Sequence, residues 1–504
     1  MLERVNTDTM PEGGDKINLV QTGSSASKTL VGDIVIEKTF SHEQALMSRI
    51  DDTEKEEKNI TRIIDKRMMP LFCIFYFVDF LDRANIGNAS LAGIQVDLNL
   101  TPKQLSMAIS AFYITYIIFE VPSNIILKRT NAVMWLSFIM FVWGFVTLIM
   151  AFAKNFQSLL ICRLFLGAAE SGYIPGILYL MSKVYKPRQF TLRVAVMLCM
   201  SSISGVVSGP IAYGTSFLEG QKGLHGWQYL FILEGVPTIC LSVISYFYLF
   251  DDVQHVPWLT DEQKALHKSY TQTESTNAQV NVKTVIKACA DWKTILFAIV
   301  YMLNAINFTS YQVFTPIIID GFGFPVLTSQ LLSAPPSAVQ AFAILLGGYL
   351  TDRYNNKRGI VMASGFAIGA FGFLLLKVLE DRWAKYGALF IIPFGVGLQS
   401  SATVGWSAVN FPNLEIRAVA VAVVVMVGCT GGVIASYIYP LSDGPYYHLG
   451  NSINLACGLL GSAFSLLTSY LLYRQNCKLD LQSSIECGKE EKVRSEDKIL
   501  RVLY

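Results

Sequence analysis

Charge is what this sequence has least of. Only 15% of its 504 residues are Asp, Glu, Lys or Arg, against about 25% in ordinary soluble domains. The net charge of +2 excludes the basic surface on which nucleic-acid binding depends. Nine cysteines include no C-x-x-C pair, and six of them (Cys73, Cys162, Cys199, Cys240, Cys429, Cys457) lie in apolar runs. Cysteine behaves there as a small hydrophobe, so neither a disulfide framework nor a metal site is expected. None of the five histidines falls inside an apolar run, so no Ser/His/Asp cluster can form at membrane depth. No G-x-x-x-x-G-K-[ST] loop is present to hold a nucleotide. An enzyme is therefore not expected, nor a cofactor other than protons as a coupling ion. Residues 1–59 lack the apolar core of a signal peptide, and their polar composition predicts a disordered cytosolic tail.

What is abundant is apolar sequence, 52% of the chain. Runs of about 20 residues, enough to cross a hydrocarbon core about 30 Å thick, recur at 67–89, 104–127, 132–153, 156–182, 190–217 and 227–250. After a polar linker, 251–292, they recur at 293–317, 328–351, 359–379, 385–409, 417–440 and 451–474. The runs are continuous and not alternating, which excludes a barrel. The expected fold is an all-α membrane protein, twelve transmembrane helices in two six-helix lobes, 60–250 and 293–476, with a short cytosolic tail at 477–504. Arg67 and Lys293 open the two lobes 226 residues apart, and Pro122 and Gly348 repeat that interval. Ten Lys and Arg residues in four short loops (Lys128, Arg129; Lys183, Lys186, Arg188, Arg193; Arg353, Lys357, Arg358; Arg417) outnumber about six on the other side. The positive-inside rule then puts both termini in the cytosol.

Against that apolar background the charges inside the spans stand out: Asp79, Asp82 and Arg83 in the first, Arg163 and Glu170 in the fourth. A central Asp or Arg costs about 2.5–3.5 kcal/mol on insertion scales, so three in one helix facing lipid would cost roughly 8–10 kcal/mol. They are expected to face inward and to pair or work there. Asp79 and Arg83 are spaced i,i+4 and can pair. Arg163, Gly167 and Glu170 share a helix face, but the Arg and Glu are two turns apart, too far for a direct pair. A carboxyl group at that depth suits proton capture and release, and a guanidinium can chelate a carboxylate with two hydrogen bonds. A purely structural ion-pair network is the plainer alternative. Depth favours work, because two-lobed carriers bind substrate near the midplane. Glu120 and Glu234 are further intramembrane acids, read as structural partners. Gln399, Trp406, Ser407 and Asn410 in the tenth span, and Asn304, Asn307, Tyr311 and Gln312 in the seventh, are candidates to line a site in the second lobe.

Several motifs carry a family resemblance. Gly348-Tyr-Leu-Thr-Asp352-Arg353-Tyr-Asn-Asn-Lys357-Arg358 resembles the G-x-x-x-D-R-x-G-R-R signature of the major facilitator superfamily. Its physical sense is a close helix approach at Gly348 and an acid that engages basic groups when the inner gate shuts. Asn355 stands where a later glycine is usual. In the first lobe the matching position, Pro122 to Arg129, lacks the acid, so the gate is expected to be asymmetric. Gly205-x-x-x-Gly209-Pro210 resembles the antiporter motif of drug exporters, which importers also carry.

Leu81-Asp82-Arg83-Ala-Asn85, Glu120-Val-Pro122-Ser-Asn124, Arg163 through Glu170-Ser-Gly172, Phe231-Ile-Leu-Glu234-Gly235 and Tyr473-Arg474-Gln-Asn476 together resemble the anion:cation symporter family. Over residues 60–478 they are most similar to its fungal allantoate-permease branch. The resemblance implies a proton-coupled importer of small organic anions or vitamins, such as allantoate, nicotinate or pantothenate. It implies proton coupling at Asp82 and Glu170, and anion binding at Arg83 and Arg163. It also implies a multi-pass, monomeric protein of the plasma membrane. Two positions depart from the family: Gly428-Cys429, where Gly-Asn is common, and the segment from Phe411 to Arg417. A proton-coupled drug exporter and a non-transporting nutrient sensor are the competing readings. Two arginines argue against a cationic cargo, and the C-terminal tail is short for a sensor.

Overall fold

The computed structural model describes residues 25–185, 187–271, 282–354, 357–411, 414–440 and 443–487. Residues 1–60 and 61–504 form two separate units. The described part of the first, from Ser25 onward, is helical, whereas disorder was expected to residue 59. Between Gly32 and Pro70 the chain has neither glycine nor proline and is rich in Glu, Lys, Ile and Met. Local helix propensity is therefore satisfied where polarity alone signals a tail.

Every regular element among the described residues is helical, and twelve long helices carry the fold. The first lobe consists of α1 (Ser25–Leu91), α2 (Pro102–Arg129), α3 (Ala132–Met150), α4 (Phe156–Glu170, resumed at Tyr173–Val184), α5 (Pro187–Ser216) and α6 (Gly226–Tyr248). The second consists of α7 (Trp292–Gly321), α8 (Val326–Leu332, resumed at Ala334–Arg353), α9 (Arg358–Val378), α10 (Arg382–Val409), α11 (Leu414–Ile438) and α12 (His448–Cys487). Among the described residues, ten of the twelve are long and apolar enough to cross a membrane. α1 is set apart by Asp79, Asp82 and Arg83 within its apolar stretch. The linker forms two short helices, Asp261–Thr271 and Val282–Ala290.

Polar residues set where several helices begin. Thr101 caps α2 through a reciprocal pair with Gln104, Asn131 accepts the Met134 amide at 3.1 Å to open α3, and Asp381 accepts the Trp383 and Ala384 amides to open α10. Each satisfies amides that would otherwise lack a partner at a helix start. α4 breaks at Ser171-Gly172, three residues before Pro175, which lacks an amide proton and disfavours helix just upstream. Large apolar side chains such as Ile118, Phe138, Phe145, Phe165, Leu233 and Phe342 remain exposed, as expected of surfaces that face lipid.

Within the first lobe α3 packs on α6 and α2 on α4; within the second α9 packs on α10 and α12, and α7 on α11. The lobes meet through α5 with α8 and α2 with α11. Their contacts concentrate at the end opposite the basic loops. Ser110 and Tyr437 hydrogen-bond at 3.0 Å. A side chain at Gly87 would collide with the Val313 carbonyl, and one at Gly209 with the Gln330 carbonyl and, at 2.6 Å, the Ser333 hydroxyl. This end is closed in the structure.

Overpacking such a contact costs about 1–3 kcal/mol, and each 1.4 kcal/mol is tenfold in an equilibrium. Gly209→Val should therefore shift the protein toward a state open at this end by roughly 5- to 150-fold. Faster reaction of a membrane-impermeant thiol reagent with Ser337→Cys, beside Gly205 in the same seam, is the readout. An unchanged rate would show that the seam does not control opening.

The expected close approach at Gly348 is not found. Nothing lies within 4 Å of a Cβ placed there, whereas one at its neighbour Gly347 would stand 3.0 Å from Ser401 Cβ and 3.2 Å from Leu398 Cα. One residue is a 100° turn of the helix, so Gly347 packs on α10 and Gly348 points away. Arg353 donates to the Tyr349 hydroxyl on its own helix at 2.9 Å, and Lys357 is exposed. Arg358 is half-buried at the start of α9. The Asp352 side chain and residue Asn355 lie outside the described residues.

Candidate functional site

The charged residues of α1 and α4 come together in one buried cluster. Asp79, Asp82, Arg163 and Glu170 are at most 2% exposed, and Arg83 is 11% exposed. Asp79 and Arg83 form the expected i,i+4 pair at 3.2 Å. The same guanidinium reaches across to α4, where its Nε donates to Glu170 Oε2 at 3.1 Å. Arg83 therefore bridges two carboxylates. It is further enclosed by aromatic faces, with its guanidinium carbon 5.0 Å from the Phe80 ring centroid, 5.5 Å from Phe112 and 4.9 Å from Tyr116. Each face is an attractive surface for a cation.

Arg163 differs. It is 2% exposed, no carboxylate pairs with it among the described residues, and its Nε and Nη2 have no hydrogen-bond partner. The two-turn separation from Glu170 holds as expected, and Glu170 has been taken by Arg83 instead. A buried guanidinium with idle donors is costly unless something fills them. The helix break at Ser171-Gly172 lies immediately beyond Glu170, and interrupted helices are a recurrent feature of carrier binding sites.

Asp82 forms no ion pair with either arginine among the described residues. Its Oδ2 accepts the indole N–H of Trp143 at 2.7 Å, a contact from α3 absent from the sequence reading. The signal was there: Trp143 lies in the middle of a mostly aliphatic and Phe-rich span, where its N–H needs an acceptor. The aromatic cage of Arg83 was also missed, although Phe112, Tyr113 and Tyr116 lie within one turn of each other in α2.

The second lobe contributes neutral polar groups. Gln399 is fully buried with neither side-chain atom hydrogen-bonded, and Asn307 is the same. Asn304 accepts from Ser400 at 3.1 Å, Tyr311 meets Ser337 at 3.3 Å, and Gln312 donates to the Phe80 carbonyl of α1 at 3.4 Å. Asn410 is placed elsewhere. It follows the last residue of α10 at the basic end, donates to the Trp406 carbonyl at 2.8 Å, and its own carbonyl accepts from Lys293 at 3.5 Å. Eleven residues of helix separate it from Gln399, roughly 16 Å, because the seemingly continuous polar face of α10 runs along its axis.

Comparison with known proteins agrees with this architecture. The family model described as Major Facilitator Superfamily matches residues 72–436. The chain is 31% identical over 409 residues to the MFS transporter prlL of Fungal sp. (strain NRRL 50135), covering 79% of this chain and 82% of that protein. It is 28% identical over 439 residues to the MFS-type transporter efuF of Hormonema carpetanum, covering 84% of each. Among solved structures it is similar to a bacterial homologue of the human lysosomal transporter Spinster, in an inward-facing and unoccupied conformation. That similarity has a TM-score of 0.64 at 15% identity and covers 80% of this chain and 96% of the other; it concerns the fold alone. Twelve long helices, a seam closed at one end, buried charges at a broken helix and these matches lead to one assignment: the chain belongs to the major facilitator superfamily and is a membrane transporter of that family.

Proposed function

We propose that this transporter imports a small organic anion together with protons, in the manner of the anion:cation symporters and their allantoate-permease branch. The cargo would be a carboxylate vitamin such as nicotinate or pantothenate, or an allantoate-like compound. The observation that carries this reading is Arg163, a buried guanidinium with unused donors beside a cluster of acids. A carboxylate fits it chemically, since two oxygens can accept from its planar fork. Gln399 and the amides of α7 would complete the site with neutral hydrogen bonds, and Asn410 is left out of it.

Glu170 couples the proton to this site. A proton arriving from outside converts its carboxylate to a neutral carboxyl, which loosens the contact with Arg83 and lets the lobes rearrange. Release of the anion and loss of the proton to the other side restore the pair. Asp82 is the second proton-accepting group. The membrane potential favours the cycle, since one elementary charge moving across 100 mV is worth about 2.3 kcal/mol. The basic loops would face the cytosol, with the protein monomeric in the plasma membrane. A lipophilic cation exported through this site would meet two guanidinium groups, which disfavours drug export.

Uptake of labelled carboxylates into cells lacking their own carriers, with and without a proton gradient, tests the reading. Glu170→Gln should abolish accumulation against a gradient while exchange of labelled for unlabelled substrate continues. Gradient-driven accumulation at the parent rate by this variant would remove Glu170 from the coupling.

A further inference from the structure

Glu234 has so far only a structural reading. It lies in α6, 3% exposed, and neither carboxyl oxygen has a hydrogen-bond partner. Its neighbours fix its position. Thr238, one turn on, donates to the Glu234 carbonyl at 2.8 Å and abuts Gly144 of α3, while Gly235 abuts Leu148 of the same helix. Glu234 therefore lies on the α3-facing side of α6. Trp143, adjacent to Gly144, holds Asp82 through its indole N–H and draws that carboxyl toward the same seam. The Asp82 and Glu234 carboxyl groups thus face one seam, where each is close enough to act on the other's ionisation.

The contact lacks a donor. Asp82 Oδ1 and both oxygens of Glu234 are buried without a hydrogen-bond partner, and an ionised carboxylate only accepts. Two such groups meeting away from water repel. A single proton turns the same contact into a short, strong O–H···O hydrogen bond. The other charges within reach are few. α1 and α4 supply Asp79, Arg163 and Glu170 around Asp82. α3 presents Trp143, Gly144 and Leu148, none of which titrates. α5, which also packs on α6, has Arg193, Cys199 and Tyr213 as its described titratable groups, and Arg193 is paired with Asp65.

We propose that Asp82 and Glu234 hold one proton jointly beneath Trp143, which makes Glu234 a positioning residue for proton coupling. With one proton the pair carries a single negative charge that balances Arg163. An anion arriving at Arg163 removes that balance, and the pair accepts a second proton from the outer water, which leaves with the anion on the other side. No bond other than O–H forms or breaks. The proposal rests on the reading of the protein as a proton-coupled anion importer.

The test is the proton dependence of labelled carboxylate uptake in whole cells. Glu234→Gln keeps the shape but removes the shared O–H···O⁻ bond that stabilises the singly protonated pair, so Asp82 takes up the working proton more readily and the proton concentration for half-maximal uptake should fall at least tenfold. Glu234→Asp should return it toward the parent value, which a merely space-filling role would not require. A parent-like profile for Glu234→Gln, with coupling still lost in Glu170→Gln, overturns this proposal and leaves the import reading standing. Uptake by the parent that ignores the proton gradient overturns both. Where Glu234→Gln does not accumulate, infrared spectroscopy of the purified parent protein reads the pair directly. A protonated-carboxyl stretch at neutral pH that disappears in Asp82→Asn is expected, and its absence from the parent overturns the proposal.

Discussion

Replacing Arg163 with methionine is expected to raise the half-saturating concentration of the transported carboxylate roughly a hundredfold without lowering the protein's thermal stability. Hydrogen bonds involving a charged group are each worth about 1.5–3 kcal/mol. Losing a bidentate pair thus costs about 3 kcal/mol of binding, and 1.4 kcal/mol is tenfold. Stability should hold because the Nε and Nη2 atoms have no protein partner to lose, the Asp82 and Glu234 pair can neutralise itself by taking up its second proton once the cation is gone, and methionine preserves much of the buried volume. Arg163→Lys keeps the charge but not the planar fork, and about a tenfold loss is expected. Concentration-dependent uptake and a melting curve in detergent measure the two quantities separately. Unchanged affinity in Arg163→Met would exclude this residue from anion binding.

Arg83 predicts the opposite pattern. Arg83→Met removes the only cation bound to both Asp79 and Glu170 among the described residues and leaves two buried acids uncompensated. Breaking a buried pair in this way costs about 3–5 kcal/mol, a large share of a typical folding free energy. The expected result is little correctly folded transporter and a melting temperature well below the parent's. Adding Asp79→Asn and Glu170→Gln should recover most of the loss, because neutral amides no longer need the guanidinium. Non-additivity of that kind is the mark of residues that act as one unit. If Arg83→Met melts with the parent, the bridge contributes nothing to the fold.

The two arginines look alike in the sequence, and their difference shows what the chain discloses and what it conceals. The helices are legible because lipid demands long apolar runs, and α1 departs from that demand where its charges gather. The presence of working charges in α1 and α4 is legible for the same reason. Their partners are not, apart from the local pair of Asp79 and Arg83. Arg83 meets Glu170 across 87 residues of chain, and Asp82 meets Trp143 across 61. Such contacts depend on which helices become neighbours. Helical phase limits legibility in a second way. Gly347 and Gly348 differ by one residue, and only the structure shows that the former makes the close contact. In the N-terminal segment, polarity points to a tail while helix propensity accounts for the helix from Ser25 onward.

The buried charged side chains of the cluster all belong to the first lobe, whereas the second lobe offers amides and hydroxyls. On the proposed reading, that asymmetry separates what drives transport from what chooses the cargo. Mutations among Asn304, Asn307 and Gln399 could then retune selectivity while leaving the energy-converting half untouched. A lineage could acquire new nutrients by drift in one lobe under steady purifying selection in the other. Chimaeras joined within the 251–292 linker should accordingly inherit their cargo from the C-terminal half.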